Sequence, residues 1–350
     1  MDRVLRVLVV DDSAYVRKVV REILSRSPFV EVVGAARDGR EALDLVESLQ
    51  PDVVTCDLNM PELDGVGFVR EQMQRRPVPI IIMSIANETA EAALTALDAG
   101  AIDFVQKPTA LASEKIFEVS SELIEKVKAA GNIALKHIHT APPPPTKAAI
   151  AAPAVKVLGN HSVDMVVIGI STGGPQALKR LIPQLPADFP VPVAMVMHMP
   201  VGYTEMYALK LNDLSPLEVK EAAEGDELKP GRVFLAAAGR HLTLKRTADG
   251  RVVTHLDGKP FDMLHRPSVD VLFESAAEVY GERLLGVVMT GMGSDGRKGA
   301  AWIKSQGGLI FTEAESSCVV YGMPSVVVEA GFSDKSVPLE DMARAIREVV

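Results

Sequence analysis

Ser171, His198 and Asp295 each stand just beyond an apolar run, and together they could carry one reaction. Ser171 follows Met165 to Ile168 in G-I-S-T-G-G-P, His198 follows Val191 to Met197, and Asp295 lies in T-G-M-G-S-D-G beyond Leu284 to Met289. A serine is a weak nucleophile until a base takes its proton, and the imidazolium so formed is stabilised by a carboxylate. These residue types therefore suit acyl transfer, with Ser171 as nucleophile, His198 as base and Asp295 orienting the imidazole. The G-x-S-x-G turn alone equally suits a phosphate-binding or purely structural turn. The chain order Ser, His, Asp also differs from the Ser, Asp, His order of the α/β-hydrolases, so the argument rests on spatial convergence.

A second group lies earlier in the chain. Asp11 and Asp12 follow Leu5 to Val10, Asp57 follows Val53 to Cys56, and Lys107 follows Asp103 to Val105. Clustered carboxylates suit a hard cation, with Mg2+ held by Asp12 and Asp57 together with water and a phosphate oxygen. An aspartate in such a site can itself accept a phosphoryl group.

Both groups converge only if their strands are parallel neighbours. The N-terminal region alternates strand-like and helix-like segments: Leu5 to Val10, Ala14 to Ser25, Val30 to Ala35, Glu41 to Leu49, Val53 to Cys56 and Gly65 to Arg75. Ile80 to Met83, Thr89 to Ala99, Asp103 to Val105 and Ile116 to Ala129 continue the pattern. Such alternation predicts an α/β fold with a doubly wound parallel sheet and its site at the strands' carboxyl ends. A second alternating pattern begins at Met165, predicting a C-terminal α/β hydrolytic domain with a mainly parallel sheet. There Gln176 to Leu185 reads as a helix with Pro175 in its first turn, where the missing N–H is not needed.

Other polar residues of the C-terminal region have competing readings. His265, Ser268 and Asp270 cluster in H-R-P-S-V-D before a helical run from Val271 to Val279, and Ser268 or Asp270 is expected to cap that helix. Asp295 could likewise initiate a helix near Lys298. His241 and His255 fall in what reads as a polar hairpin: Val233 to Leu235, Leu242 to Leu244 and Val252 to Leu256, with Asp249-Gly250 as a turn signal.

Between the regions, Ala129 to His161 contains A-P-P-P-P at Ala141 to Pro145 and then Ala-rich and Pro-rich sequence to Ala154. This composition favours an extended, semi-rigid spacer. His137, His139 and His161 there have no Cys partner or helical spacing that would suit a metal. The expected domains are 3–127, a linker at 128–162, and 163–350. A net charge of -9 with no basic stripe argues against nucleic-acid binding. The run Val4 to Val10 is broken by Arg6 and too short to span a bilayer, and Cys56 and Cys318 form no disulfide framework. A reduced, cytoplasmic setting without membrane insertion is expected.

Residues 3 to about 127 resemble a two-component response-regulator receiver domain, through V-V-D-D-S at Val9 to Ser13, D-L-N-M-P-x-L-D-G at Asp57 to Gly65, and Lys107-Pro108. The resemblance implies phosphorylation of Asp57 by a chemotaxis histidine kinase, Mg2+ supported by Asp11, Asp12 and Asp57, and Lys107 contacting the phosphoryl group. Ser84 matches the family's switch hydroxyl and Phe104 its switch aromatic. Asn59 replaces a commonly acidic residue, and Ile85 stands where a second hydroxyl is common.

Residues 163 to 350 are similar to the catalytic domain of the chemotaxis protein-glutamate methylesterases, with G-I-S-T-G-G-P, H-M-P, R-P-S-V-D and T-G-M-G-S-D-G in order. This similarity implies the Ser171, His198, Asp295 triad, bordered by Thr172 and the Met292 backbone. It also implies demethylation of glutamate methyl esters on methyl-accepting chemoreceptors and deamidation of selected receptor glutamines, with no cofactor for hydrolysis.

Overall fold

The computed structural model describes residues 3–84, 90–107, 113–133, 163–260 and 263–350. Expectations for Ile85, Pro108, His137, His139, His161 and the A-P-P-P-P stretch fall outside these residues. The chain divides into two compact units, Met1–Thr140 and Ala141–Val350.

The first unit runs β1 (Leu5–Val10), α1 (Ala14–Leu24), β2 (Val30–Ala36), α2 (Gly39–Leu49), β3 (Val53–Asp57), α3 (Gly65–Arg75), β4 (Ile80–Ser84), α4 (Ala90–Asp98), β5 (Asp103–Gln106) and α5 (Ser113–Gly131). The strands form one parallel sheet in the order β2-β1-β3-β4-β5. Every residue of β3 and β4 is buried. Such continuous burial is what a strand covered on both faces shows. Side chains of Ser13, Asp38 and Asp64 accept the first free N–H groups of α1, α2 and α3, so each of these helices starts with a polar cap. The strand order reverses between β1 and β3, opening a crevice at their carboxyl ends.

The second unit comprises β6 (Met165–Ile170), α6 (Gly174–Leu181), β7 (Val193–Met197), α7 (Thr204–Leu214), β8 (Glu218–Glu221), β9 (Arg232–Leu235), β10 (His241–Arg246) and β11 (Val252–Asp257). It continues with α8 (Val269–Tyr280), β12 (Leu284–Val288), α9 (Arg297–Ser305), β13 (Leu309–Glu313), α10 (Met323–Glu329), β14 (Lys335–Val337) and α11 (Leu339–Arg347). Its main sheet is parallel throughout, in the order β14-β13-β12-β6-β7-β9-β8. The chain builds outward from β6 on one side, then returns to build β12, β13 and β14 on the other. The crevice therefore lies between β6 and β12.

The core packs α8 and β10 against this sheet through Val269, Leu272, Phe273, Leu242 and Phe234. Gly169 lets α8 come this close, because a Cβ there would collide with Val269. One expected element is corrected. Only β10 and β11 pair as an antiparallel hairpin, whereas Val233 to Leu235 belong to β9, parallel to both β7 and β8. Val233, Phe234 and Leu235 are wholly buried, the mark of an interior parallel strand and not of a polar hairpin. The strand before Ser171 also continues through Gly169 to Ile170.

Candidate active site

The neighbouring strands β12, β6 and β7 deliver Asp295, Ser171 and His198 to one edge of the sheet. The Ser171 N–H donates to the Thr290 carbonyl at 3.0 Å, and the His198 N–H to the Ile170 carbonyl at 3.2 Å. These bonds carry the parallel pairing past the strand ends, so the three loops keep a common register. Gly291 passes directly against the serine: a Cβ there would sit 2.8 Å from the Ser171 Cβ and 3.1 Å from its N. Gly173, at φ +81, turns the chain into α6. Thr172 is buried, while Ser171 and Met292 are half-buried.

His198 Nε2 lies 2.7 Å from Asp295 Oδ2. The same carboxylate accepts the Ser268 hydroxyl at 2.8 Å, the Val269 N–H at 2.8 Å and the Asp270 N–H at 2.9 Å. Burial would raise the Asp295 pKa, but the hydrogen bond from His198, with the N–H donors of α8, holds it well below the usual carboxylate range. An ionised carboxylate only accepts, so His198 Nε2 carries a proton. Its Nδ1 is buried and has no hydrogen-bond partner among the described residues.

The capping pattern differs from the local one expected. Ser268 occupies the N-cap position of α8 but makes no side-chain cap bond there; Asp295, from the far loop, takes the first N–H groups of that helix. Asp270, in the first turn of α8, accepts the N–H groups of Gly296 and Gly299 at 2.9 and 2.7 Å, capping α9. The two aspartates thus cap each other's helices. Asp295 does not initiate α9, because its carboxylate is drawn to the N-terminus of α8, where an anion is favoured.

Two further residues reach the site indirectly. Buried His241 accepts the Ser268 N–H on Nδ1 at 3.2 Å, and its Nε2 lies 3.1 Å from the Pro260 carbonyl, which can only accept. Burial lowers its pKa, keeping the ring neutral. His255 instead pairs with Glu224 at 2.8 Å on an exposed part of the hairpin. Glu313, at the end of β13, is missed by the motif reading. Its Oε2 accepts the Thr290 N–H at 2.9 Å, while the Thr290 hydroxyl donates to the Thr172 carbonyl at 3.0 Å. The signal was available, an acid directly ending the run Leu309 to Thr312, but no glycine-rich turn marks it.

His265 joins the site as well: its ring stacks on His198 with centroids 3.9 Å apart and planes inclined by 18°. Beside it a cavity of about 490 Å³ is lined by Leu264, Ser294, Arg297, Lys298 and Phe332, among others.

In the first unit the crevice between β1 and β3 gathers Asp11, Asp12 and Asp57, whose carboxylate oxygens lie within 4.8 Å of one another. Lys107 Nζ sits 2.7 Å from Asp57 Oδ1 and 2.8 Å from Asp11 Oδ2. Burial would lower the lysine pKa, but the two carboxylates raise it; burial raises that of Asp57 against the pull of Lys107. The Leu58 N–H donates to Asp57 Oδ1 at 2.7 Å, orienting the carboxylate. Three carboxylates against one ammonium leave negative charge uncompensated. An all-oxygen donor set of this kind fits Mg2+. Ser84 and Phe104 are both buried, and Lys126 Nζ covers the Phe104 ring at 5.9 Å from its centroid. Among the described residues, no helix is long and apolar enough to cross a membrane.

The chain matches the CheB methylesterase family over residues 166–346 and the response regulator receiver domain over residues 7–118. It is 51% identical to protein-glutamate methylesterase/protein-glutamine glutaminase 5 of Myxococcus xanthus, covering 99% of this chain and 98% of that protein. Its identity to the protein-glutamate methylesterase/protein-glutamine glutaminase of Thermotoga maritima is 41%, with 100% of this chain and 99% of that protein covered. The crystal structure of the Thermotoga maritima CheB methylesterase catalytic domain aligns with a TM-score of 0.53 and 43% identity, covering 54% of this chain and all of that one.

Proposed function

The chain belongs to the CheB methylesterase family, and we propose that it demethylates glutamate methyl esters and deamidates selected glutamines of chemoreceptors through a serine acyl-enzyme. The observation that carries the catalytic assignment is the His198 ring: Nε2 is committed to an ionised Asp295, which leaves the buried, unpartnered Nδ1 as the base. Ser171 Oγ attacks the side-chain carbonyl while its proton passes to Nδ1, and Asp295 stabilises the resulting imidazolium. Thr172 and the Met292 backbone border the carbonyl. Nδ1–H then protonates the departing methoxide or amine, so methanol or ammonia leaves. Water attacks the acyl-enzyme with the same base, returning Ser171 and releasing a glutamate carboxylate. This route needs no metal or organic cofactor.

Residues 3–127 act as the receiver and 163–350 as the hydrolase, joined by a spacer at 128–162. Asp57 accepts a phosphoryl group from a chemotaxis histidine kinase in the cytoplasm. Asp11, Asp12 and Asp57 would hold Mg2+, whose charge would offset that of the incoming phosphoryl group, and Lys107 would pair with its oxygens. Ser84 and Phe104 carry the change to the receiver surface, shifting the population of arrangements in which a receptor reaches Ser171.

The test is methanol release from methylated receptor. Ser171→Ala is expected to lower the rate by several orders of magnitude while leaving the fold intact. Release near the wild-type rate would exclude Ser171 as nucleophile.

A further inference from the structure

We propose that His265 is a positioning residue for the general base, acting through the stack of its ring on His198; this rests on the serine-hydrolase reading above. A histidine's outer torsion is broad, and a single hydrogen bond on Nε2 fixes one edge of the ring without fixing its plane. The other ring nitrogen of His198 supplies no second anchor, because Nδ1 has no partner among the described residues. The His265 ring supplies one: at 3.9 Å and 18° it lies face to face with His198 and opposes rotation about the Nε2···Asp295 axis.

The segment that carries His265 is itself anchored. The Gly239 N–H donates to the Arg266 carbonyl at 3.0 Å, and the Ser268 N–H to His241 Nδ1 at 3.2 Å. Leu264, next in the chain, is 90% exposed, so burial of its side chain does not hold the segment; these backbone bonds do. Three residues beyond His265, the Ser268 hydroxyl donates to Asp295 Oδ1 at 2.8 Å. One short stretch therefore holds the face of the base through His265 and its carboxylate partner through Ser268.

The consequence concerns rate and not substrate affinity. Proton transfer needs Nδ1 aligned with the Ser171 hydroxyl, and a ring that swings out of plane spends less time there. Substrate binding in the ground state makes no use of that alignment, so loss of the stack lowers kcat and leaves KM in place.

The experiment uses the full chain, activated with a small-molecule phosphodonor and Mg2+, and measures methanol release. His265→Ala is expected to lower kcat about tenfold, equivalent to about 1.4 kcal/mol, with KM changed less than about twofold. His265→Phe retains a stacking face and should recover to within about threefold of wild type. His265→Leu, which fills the space without a planar ring, should follow the alanine variant. An independent readout is the His198 Nε2–H proton resonance, expected to be sharp in the wild type and the Phe variant and broadened in the Ala and Leu variants. Unchanged kcat in the Ala variant, a Phe variant as slow as Ala, or a loss confined to KM would overturn the proposal. If the wild type shows no Ser171-dependent methanol release, the hydrolase reading fails instead, and the resonance still decides whether His265 holds the His198 ring.

Discussion

Asp295→Asn is expected to damage stability as well as catalysis, because the carboxylate does two jobs. Its Oδ2 accepts from His198 Nε2 and the Val269 N–H, and its Oδ1 from the Ser268 hydroxyl and the Asp270 N–H. An amide offers one acceptor oxygen and one NH2 group. With NH2 in place of Oδ2 it confronts the Val269 N–H and forces His198 into the wrong tautomer; in place of Oδ1 it confronts the Asp270 N–H. Either way a buried backbone donor loses its acceptor, at about 1–3 kcal/mol, and α8 loses an anion at its N-terminus, worth up to about 2 kcal/mol. A total near 3 kcal/mol corresponds to about 10 °C in Tm for a domain of this size. In parallel, kcat should fall by about 10⁴ if the imidazole takes the wrong tautomer. Calorimetry on the full chain, following the transition of the hydrolase domain, is the assay, with Ser171→Ala as an inactive control whose Tm stays at the wild-type value. The pH dependence has a defined sign. The Asp295 pKa is depressed from 3.8, so its contribution is present above 3.8 and is lost as pH falls toward the depressed value. The Tm gap between wild type and variant should close on acidification through that range. An inactive Asn variant with wild-type Tm would refute the cap in trans, and an active one would refute the triad.

Glu313 supplies a second pH effect of opposite sign. Burial pushes its pKa from 4.5 up to about 7, against the Thr290 N–H and Ser317 hydroxyl that donate to it. Its contribution is full below 4.5 and lost as pH rises through about 7, so relative to Glu313→Gln the wild type should lose up to about 3 kcal/mol between pH 4.5 and 8. Urea midpoints at both ends of that range check this, and a constant difference between the two proteins would contradict it. Asp57→Ala should remove the rise in methanol release that a phosphodonor and Mg2+ produce in the wild type; a persisting rise would place phosphorylation elsewhere. If the receiver acts by covering the site, a chain beginning at Val163 should exceed the unphosphorylated full chain in rate. A slower but folded truncation, checked by circular dichroism, would mean that the receiver stimulates instead.

What could be read from the sequence was set by how locally each feature is encoded. The central strands are visible because each is a predominantly apolar run, and Ser171, His198 and Asp57 are visible because a polar residue terminates such a run. Edge strand β8, E-V-K-E, has no such run and gives no comparable signal. Capping was the least legible feature, since S-V-D before a helical run describes a local cap as well as any sequence can. What overrides it is a carboxylate from a loop 25 residues away in the chain, brought to the start of α8 by the parallel placement of β12 beside β6. Composition cannot separate the two aspartates involved, because both are buried and both accept backbone N–H groups. Their surroundings separate them. For Asp270 burial prevails and pushes the pKa up to about 6, while Asp295 gains in addition a histidine and a hydroxyl and stays ionised. The aspartate suited to hold an imidazolium is therefore the one whose extra partners favour charge. Those partners, His198 and Ser268, come from two other segments that only the folded sheet brings together.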